Sequence, residues 1–260
     1  MKPHHKKAIE SLTENLEKDN RYLAVIITGS VAKGSEREDS DIDIVLVVTD
    51  EEFEKRKKRN RLIYFDNQVC DYPGGYIDGK IVDYPYLKLV AERGTEPARD
   101  AFRGAILAFS KIPELEDVLK QIPVYQISEK NEKIKKFVAQ FEIANWFMKE
   151  AERRNDNYLK LHSARDLILY GGRMILALNE ILYPYHKLFI YMLEKAPEKP
   201  ENLMILIDTL LSTPNSENAE KFYKTIKNFA RWKTRYPAPI RFMLDTELAW
   251  IDGKIFVGDL

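Results

Sequence analysis

Residues 27–48 read ITGSVAKGSEREDSDIDIVLVV, and the order of residue types in this stretch decides the fold around it. The apolar run Tyr22–Ile27 predicts a strand that ends at the Gly29-Ser30 turn. A polar loop closed by Ser40 follows, and Ile42–Val48 predicts a second strand. Asp41 and Asp43 stand two residues apart at the start of that strand. Side chains alternate faces with period two, so both carboxylates leave the sheet on the same side. Adjacent acids repel each other and resist desolvation unless a cation lies between them, so the spacing asks for a divalent metal, most simply Mg²⁺. Gly29 permits positive φ or close backbone approach. If Ser30 opens a short helix through Val31-Ala32-Lys33, the N–H groups there form an anion site. Together these features describe a site for a nucleoside triphosphate with its Mg²⁺.

The bulk composition sets wide limits. At 260 residues the chain suits one large domain or two modest ones. Its 41 basic and 41 acidic residues cancel, so no global field draws it to nucleic acid. A single cysteine, Cys70, excludes an internal disulfide or a cysteine-based zinc site and reads as a small buried hydrophobe. No apolar run reaches the roughly 18–20 residues of a membrane span, and no signal peptide is visible. We therefore expect a cytoplasmic protein with no membrane partner.

Farther along, residues 3–19 carry Ala8, Ile9, Leu12 and Leu16 at helical spacing, with His4-His5 in a frayed start. A helix begins at Asp50-Glu51-Glu52 and continues through a basic run at 55–61, either a solvated face or a phosphate-attracting one. A short strand is expected at 61–65. Residues 76–84 read as a hairpin turning at Asp78-Gly79, a favoured type I′ pair, and Trp250-Ile251-Asp252-Gly253-Lys254-Ile255 reads as a second one. Residues 85–121 read as short helices and loops. From about residue 129 the pattern turns helical, over 130–154, 157–182, 185–195, 201–212 and 216–232. The fold class is α+β: a domain over 1–127 with a small mixed sheet flanked by helices, then an all-helical bundle over 128–260.

Gly29-Ser30, the spacer, and Asp41-Ile42-Asp43 resemble the signature of DNA polymerase β superfamily nucleotidyltransferases, including the Ser40 that often precedes the first acid. The resemblance covers residues 22–85, about a quarter of the chain. The helical half is similar only broadly to that of the kanamycin- and lincosamide-type enzymes. The resemblance implies two Mg²⁺ ions and ATP or another triphosphate as co-substrate, with Gly29, Ser30 and Ser40 at the nucleotide. It also implies a third metal-binding carboxylate on a neighbouring strand, and Asp83 in Lys80-Ile81-Val82-Asp83-Tyr84 fits that place, while Asp78 and Asp71 read as turn formers. Asp41 and Asp43 would hold both ions, and Asp83 would serve the ion that activates the acceptor.

In the helical half, Glu142 lies on a segment apolar nearly all round from Phe137 to Met148, as does Asn145. Glu142 reads either as a general base, by resemblance to the aminoglycoside enzymes, or as a structural acid paired with Arg165 or Arg173. The stretch from Asn179 through Pro184 to Lys187 is similar to one in which a lysine reaches the triphosphate; Lys187 could equally be a solvated helix-start lysine. The implied reaction moves AMP from ATP to a hydroxyl of a small molecule such as an aminoglycoside or lincosamide. The competing readings are transfer to RNA or protein, and an antitoxin-like or degenerate nucleotide binder without turnover. Zero net charge argues against RNA. Seven residues between Arg154 and His162 are too many for the partner motif of the antitoxin members, and the intact Gly29, Ser30, Asp41 and Asp43 favour an enzyme. The aromatic-bearing segment 188–192 offers a face for a homodimer.

Overall fold

The structure, a computed structural model, describes residues 1–232 and 237–253. The chain divides into two compact units, Met1–Val124 and Tyr125–Leu260.

The first unit is a five-stranded mixed sheet with helices on both faces. In chain order it runs α1 (Pro3–Glu17), β1 (Tyr22–Ile27), α2 (Gly29–Lys33), β2 (Ile42–Val48), α3 (Asp50–Lys58) and β3 (Ile63–Asp66). It continues with β4 (Ile77–Val82), α4 (Tyr84–Arg93), α5 (Glu96–Asp100), β5 (Ile106–Ser110) and α6 (Leu115–Gln121). The strand order is β3-β4-β2-β1-β5. Strands β2 and β4 are parallel, and the other neighbours are antiparallel.

Strand alternation sorts the side chains into two cores. Ile42, Ile44, Leu46 and Val48 face Ala8, Ile9, Leu12 and Leu16 of α1. Val45 and Val47 face the other way, onto Leu87 and Val90 of α4 and Leu115 and Leu119 of α6. Asp43 shares the parity of Val45 and Val47, so it stands at the rim of this second face. The basic run after Asp50 is a solvated helix face, and the helix is capped by Thr49, whose hydroxyl accepts the Glu52 N–H at 3.3 Å.

Three expectations are corrected here. Residues 76–84 are not a hairpin: β4 runs unbroken through Asp78-Gly79 between β2 and β3. Gly79 is needed for close approach, because a Cβ there would lie 2.1 Å from the Ile44 carbonyl oxygen. The span 85–121 contains a strand, β5, at the edge of the sheet. The start of α1 is anchored: His5 is 0% exposed, and its Nε2 donates to the Ser40 carbonyl at 3.1 Å.

The second unit holds α7 (Lys130–Arg154), α8 (Asn157–Leu178), α9 (His186–Lys195), α10 (Leu203–Ser212), α11 (Ser216–Phe229) and α12 (Ala238–Asp245). Phe141, Met148, Leu167, Ile175, Leu193 and Phe222 are among its core residues. Among the described residues it has no strand. The expected C-terminal hairpin is corrected in part: Ala249–Asp252 is a 3₁₀ turn closed by Gly253 at φ +71°, while Lys254 and Ile255 lie outside the described residues. No helix among the described residues is long and apolar enough to cross a membrane.

Candidate active site

The last rung between β1 and β2 extends one residue past β1, where the Thr28 N–H donates to the Asp43 carbonyl at 2.8 Å. This sets Gly29 directly against the Asp43 side chain. Gly29 has φ +64°, and a Cβ on it would lie 1.8 Å from Asp43 Oδ2. The chain therefore requires glycine here twice over, for its backbone and for the space the carboxylate fills. Ser30 sits partly exposed in the first turn of α2. Lys33, at the far end of that helix, lies 3.6 Å from the buried carboxylate of Asp100.

In the parallel pairing of β2 with β4, Asp43 is the partner of Asp78. One carboxylate oxygen from each of Asp41, Asp43 and Asp78 lies within 4.8 Å of the others. All three residues are partly buried. Burial and, next, the Asp41 charge push the Asp78 carboxyl above the usual carboxylate range. Its Oδ1 is buried without a hydrogen-bond partner. Tyr76 donates its hydroxyl to Asp41 Oδ2 at 3.1 Å, and that hydrogen bond raises the phenol's pKa. Three converging hard oxygen donors, on residues of which Asp78 also has an unpartnered buried carboxylate oxygen, fit a Mg²⁺-type cation.

The structure brings together Gly29, Ser30, Asp41 and Asp43, and leaves Asp83 out. Asp83 is the N-cap of α4: its carboxylate accepts the Tyr86 N–H at 3.0 Å, which ties it to the backbone of that helix. Asp78, read from sequence as a turn former, occupies the third place. Ser40 is committed to the loop, since its hydroxyl accepts the Arg37 N–H at 2.9 Å. Its carbonyl accepts from His5 at 3.1 Å and from the Tyr72 hydroxyl at 2.9 Å, so it fixes the approach to Asp41.

Glu142 and Lys187 belong to the second unit. Glu142 is partly exposed rather than buried and pairs with Lys227 at 3.2 Å, with neither Arg165 nor Arg173 as partner. The Arg173 guanidinium instead lies between the rings of Phe137 and Tyr183, at 4.4 and 4.2 Å from their centroids. Glu142 lines a cavity of about 320 Å³ with Val138, Phe141, Met174, Lys227 and Trp232. Asn145 is buried, and its amide donates to Glu220 at 3.3 Å. Lys187 is exposed in the first turn of α9.

Residues 7–76 match the family model described as Nucleotidyltransferase domain, which is of the polymerase β-like superfamily. The matched segment contains Gly29, Ser30, Asp41 and Asp43 and stops two residues before Asp78. No curated protein matches the chain. Among solved structures, a nucleotidyltransferase-like protein from Exiguobacterium sibiricum 255-15 is similar at 7% sequence identity, over 95% of this chain and 79% of that chain, with a TM-score of 0.48.

Proposed function

We propose that the protein transfers a nucleoside monophosphate, AMP from ATP, to a hydroxyl group of a small molecule and releases pyrophosphate. The observation that carries this is the convergence of Asp41, Asp43 and Asp78 beside the Gly29-Ser30 turn, inside and just past a segment that matches a nucleotidyltransferase domain. Asp41, Asp43 and Asp78 are the residues that would hold Mg²⁺. When bound, the ion offsets the charge of the phosphates and polarises the phosphoryl group under attack.

The chain's own groups account for the rest. The N–H groups at the start of α2 offer donors to the triphosphate oxygens. The bond from the acceptor oxygen to the α-phosphorus forms as the bond to the pyrophosphate oxygen breaks, and in this proposal the acceptor proton passes to Asp78. Val45 and Val47, next along the same face of β2 at 7% and 0% exposure, give the site an apolar border, which strengthens the electrostatics of the acids beside it. The Gly-Ser and Asp-x-Asp signature is common to the superfamily and does not choose the acceptor, so the assay takes a panel of hydroxyl compounds in which aminoglycosides and lincosamides stand beside ring-bearing nucleosides.

The test pairs binding with turnover. Wild type should gain thermal stability with ATP only when Mg²⁺ is present, and should release pyrophosphate once an acceptor is supplied. Asp41→Asn should lose both. A Mg²⁺-dependent shift without pyrophosphate from any acceptor would mark a nucleotide-binding regulator instead. Absence of the shift with every triphosphate would sink the proposal.

A further inference from the structure

The sheet order lays the site out as a line. The Gly29-Ser30 turn follows β1, Asp43 stands on β2, Asp78 on β4, and beyond them β3 is an edge strand among the described residues. On that edge Phe65 is the antiparallel partner of Asp78, and Ile63 is the partner of Lys80. Directly opposed residues share a face, so Phe65 stands on the carboxylate face, one strand outward from Asp78. Phe65 is 61% exposed and Ile63 78% exposed, large apolar side chains with no core to fill. The Phe65 ring lies 5.6 Å from that of Tyr76 at an interplanar angle of 32°. Tyr76 is the same residue whose hydroxyl bonds Asp41 at 3.1 Å. An aromatic ledge thus runs without a break from the carboxylate cluster to the sheet edge, with the exposed ammonium of Lys80 beside it.

Resting on the proposed function, the direction of attack assigns an occupant to this ledge. If the triphosphate tail lies at the turn after β1, the leaving pyrophosphate departs on that side. In-line displacement brings the acceptor oxygen from the opposite side, which is the side of β4 and β3. We propose that Phe65 and Tyr76 form the acceptor platform, and that the acceptor carries a flat, unsaturated ring, of the nucleoside kind, beside its reactive hydroxyl. Aromatic faces hold such rings by stacking, whatever their hydrogen-bonding edges. A polycationic saturated acceptor of the aminoglycoside kind meets an apolar ledge and the Lys80 charge, so it is the poorer fit.

The test uses the full chain, saturated with Mg²⁺ and the α,β-methylene analogue of ATP, which cannot be cleaved. Fluorescent 2-aminopurine riboside is then titrated. Wild type should quench the probe, and Phe65→Ala should weaken its binding by about tenfold or more, in line with the loss of one stacking partner. Phe65→Trp should restore it. All three proteins should show the same thermal shift with the Mg²⁺ analogue, and neamine, a saturated polyamine, should not displace the probe.

Probe binding that is absent, or unaltered in Phe65→Ala, while the analogue shift persists would overturn the platform. So would displacement of the probe by neamine. Weaker binding of the analogue itself to Phe65→Ala would place the donor's adenine on the ledge and overturn the acceptor assignment. Loss of the analogue shift in wild type would overturn the proposed function, and the platform with it.

Discussion

Replacing Asp78 by Asn should stabilise the metal-free protein while removing its response to Mg²⁺. The carboxylate oxygens of Asp41, Asp43 and Asp78 lie within 4.8 Å of one another. At that separation two unit charges repel by about 1 kcal/mol with water-like screening and by about 3.5 kcal/mol at an effective dielectric of 20. Asp78 is partly exposed, which favours the weaker end, and its substitution relieves two such repulsions. Its buried, unpartnered Oδ1 also ceases to carry charge. We expect a net gain of about 1–2 kcal/mol, or about 3–6 °C in Tm.

The pH dependence follows from the direction of the shift. Because the folded-state pKa of Asp78 is raised, the native protein holds this proton to higher pH than the unfolded chain. The destabilisation of wild type is then fully present above the folded pKa and gone below the unfolded one, so the advantage of Asp78→Asn should fade on acidification. The assay is differential scanning calorimetry of both proteins in EDTA and in Mg²⁺, at neutral and mildly acidic pH. In EDTA the variant should melt higher at neutral pH, and Mg²⁺ should raise wild type alone. A variant that melts lower in EDTA, or that keeps the wild-type response to Mg²⁺, would refute this reasoning.

Two further substitutions test the local geometry. Gly29→Ala combines a left-handed backbone, about 1–2 kcal/mol for a residue with a Cβ, with a collision 1.8 Å from Asp43 Oδ2. Gly34→Ala has a similar φ of +67° and nothing within 4 Å of the new Cβ, so it should show the backbone cost alone and keep the Mg²⁺·ATP shift that Gly29→Ala loses. Both are read by thermal melts with and without the ligand. Asp83→Ala removes the cap on the Tyr86 N–H and should lower stability by about 1 kcal/mol in urea unfolding, with the Mg²⁺·ATP shift intact; loss of that shift would return Asp83 to the site.

The strand–turn–strand unit around Gly29 and Asp43 was legible because every cue in it is local: alternation, a turn pair and an acid pair within one short run. The third acid was not, because its place depends on which strand lies beside β2. Asp78-Gly79 carries the composition of a hairpin turn, and only the neighbouring Ile44 carbonyl, 2.1 Å from where a Cβ would sit, shows that Gly79 serves close packing inside a strand. Once that strand continues, parity puts Asp78 on the Asp43 face, and Asp83 falls past its end as a helix cap. His5 was equally opaque. Its role depends on the Ser40 carbonyl 35 residues away, and no pattern near the N-terminus announces it. In the helical half, helical periodicity left Glu142 either a base or a structural acid beside Arg165 or Arg173, and only the packing of neighbouring elements shows Glu142 at Lys227 and Arg173 against Phe137 and Tyr183.

Like-charged side chains brought this close would separate if the backbone allowed it, so the scaffold must hold them. Asp43 is flanked by Ile42 and Ile44 and Asp78 by Ile77, and all three isoleucines are at most 1% exposed on the opposite face of the sheet. Rotating either strand to part the carboxylates would lift these side chains out of the core, at about 1.5–3 kcal/mol for each one fully exposed. That exceeds the ~1 kcal/mol per pair gained by separating partly exposed charges, so the packing wins. Asp41 precedes the strand and lacks this leverage. Its position is fixed instead by Ser40, held through its carbonyl by His5 and Tyr72 and through its hydroxyl by the Arg37 N–H, and by the Tyr76 hydroxyl on its own carboxylate. The two acids on strands are thus set by hydrophobic burial and the one on the loop by hydrogen bonds. Substitutions that loosen the Ser40 clamp should therefore displace Asp41 while leaving the register of Asp43 against Asp78 unchanged.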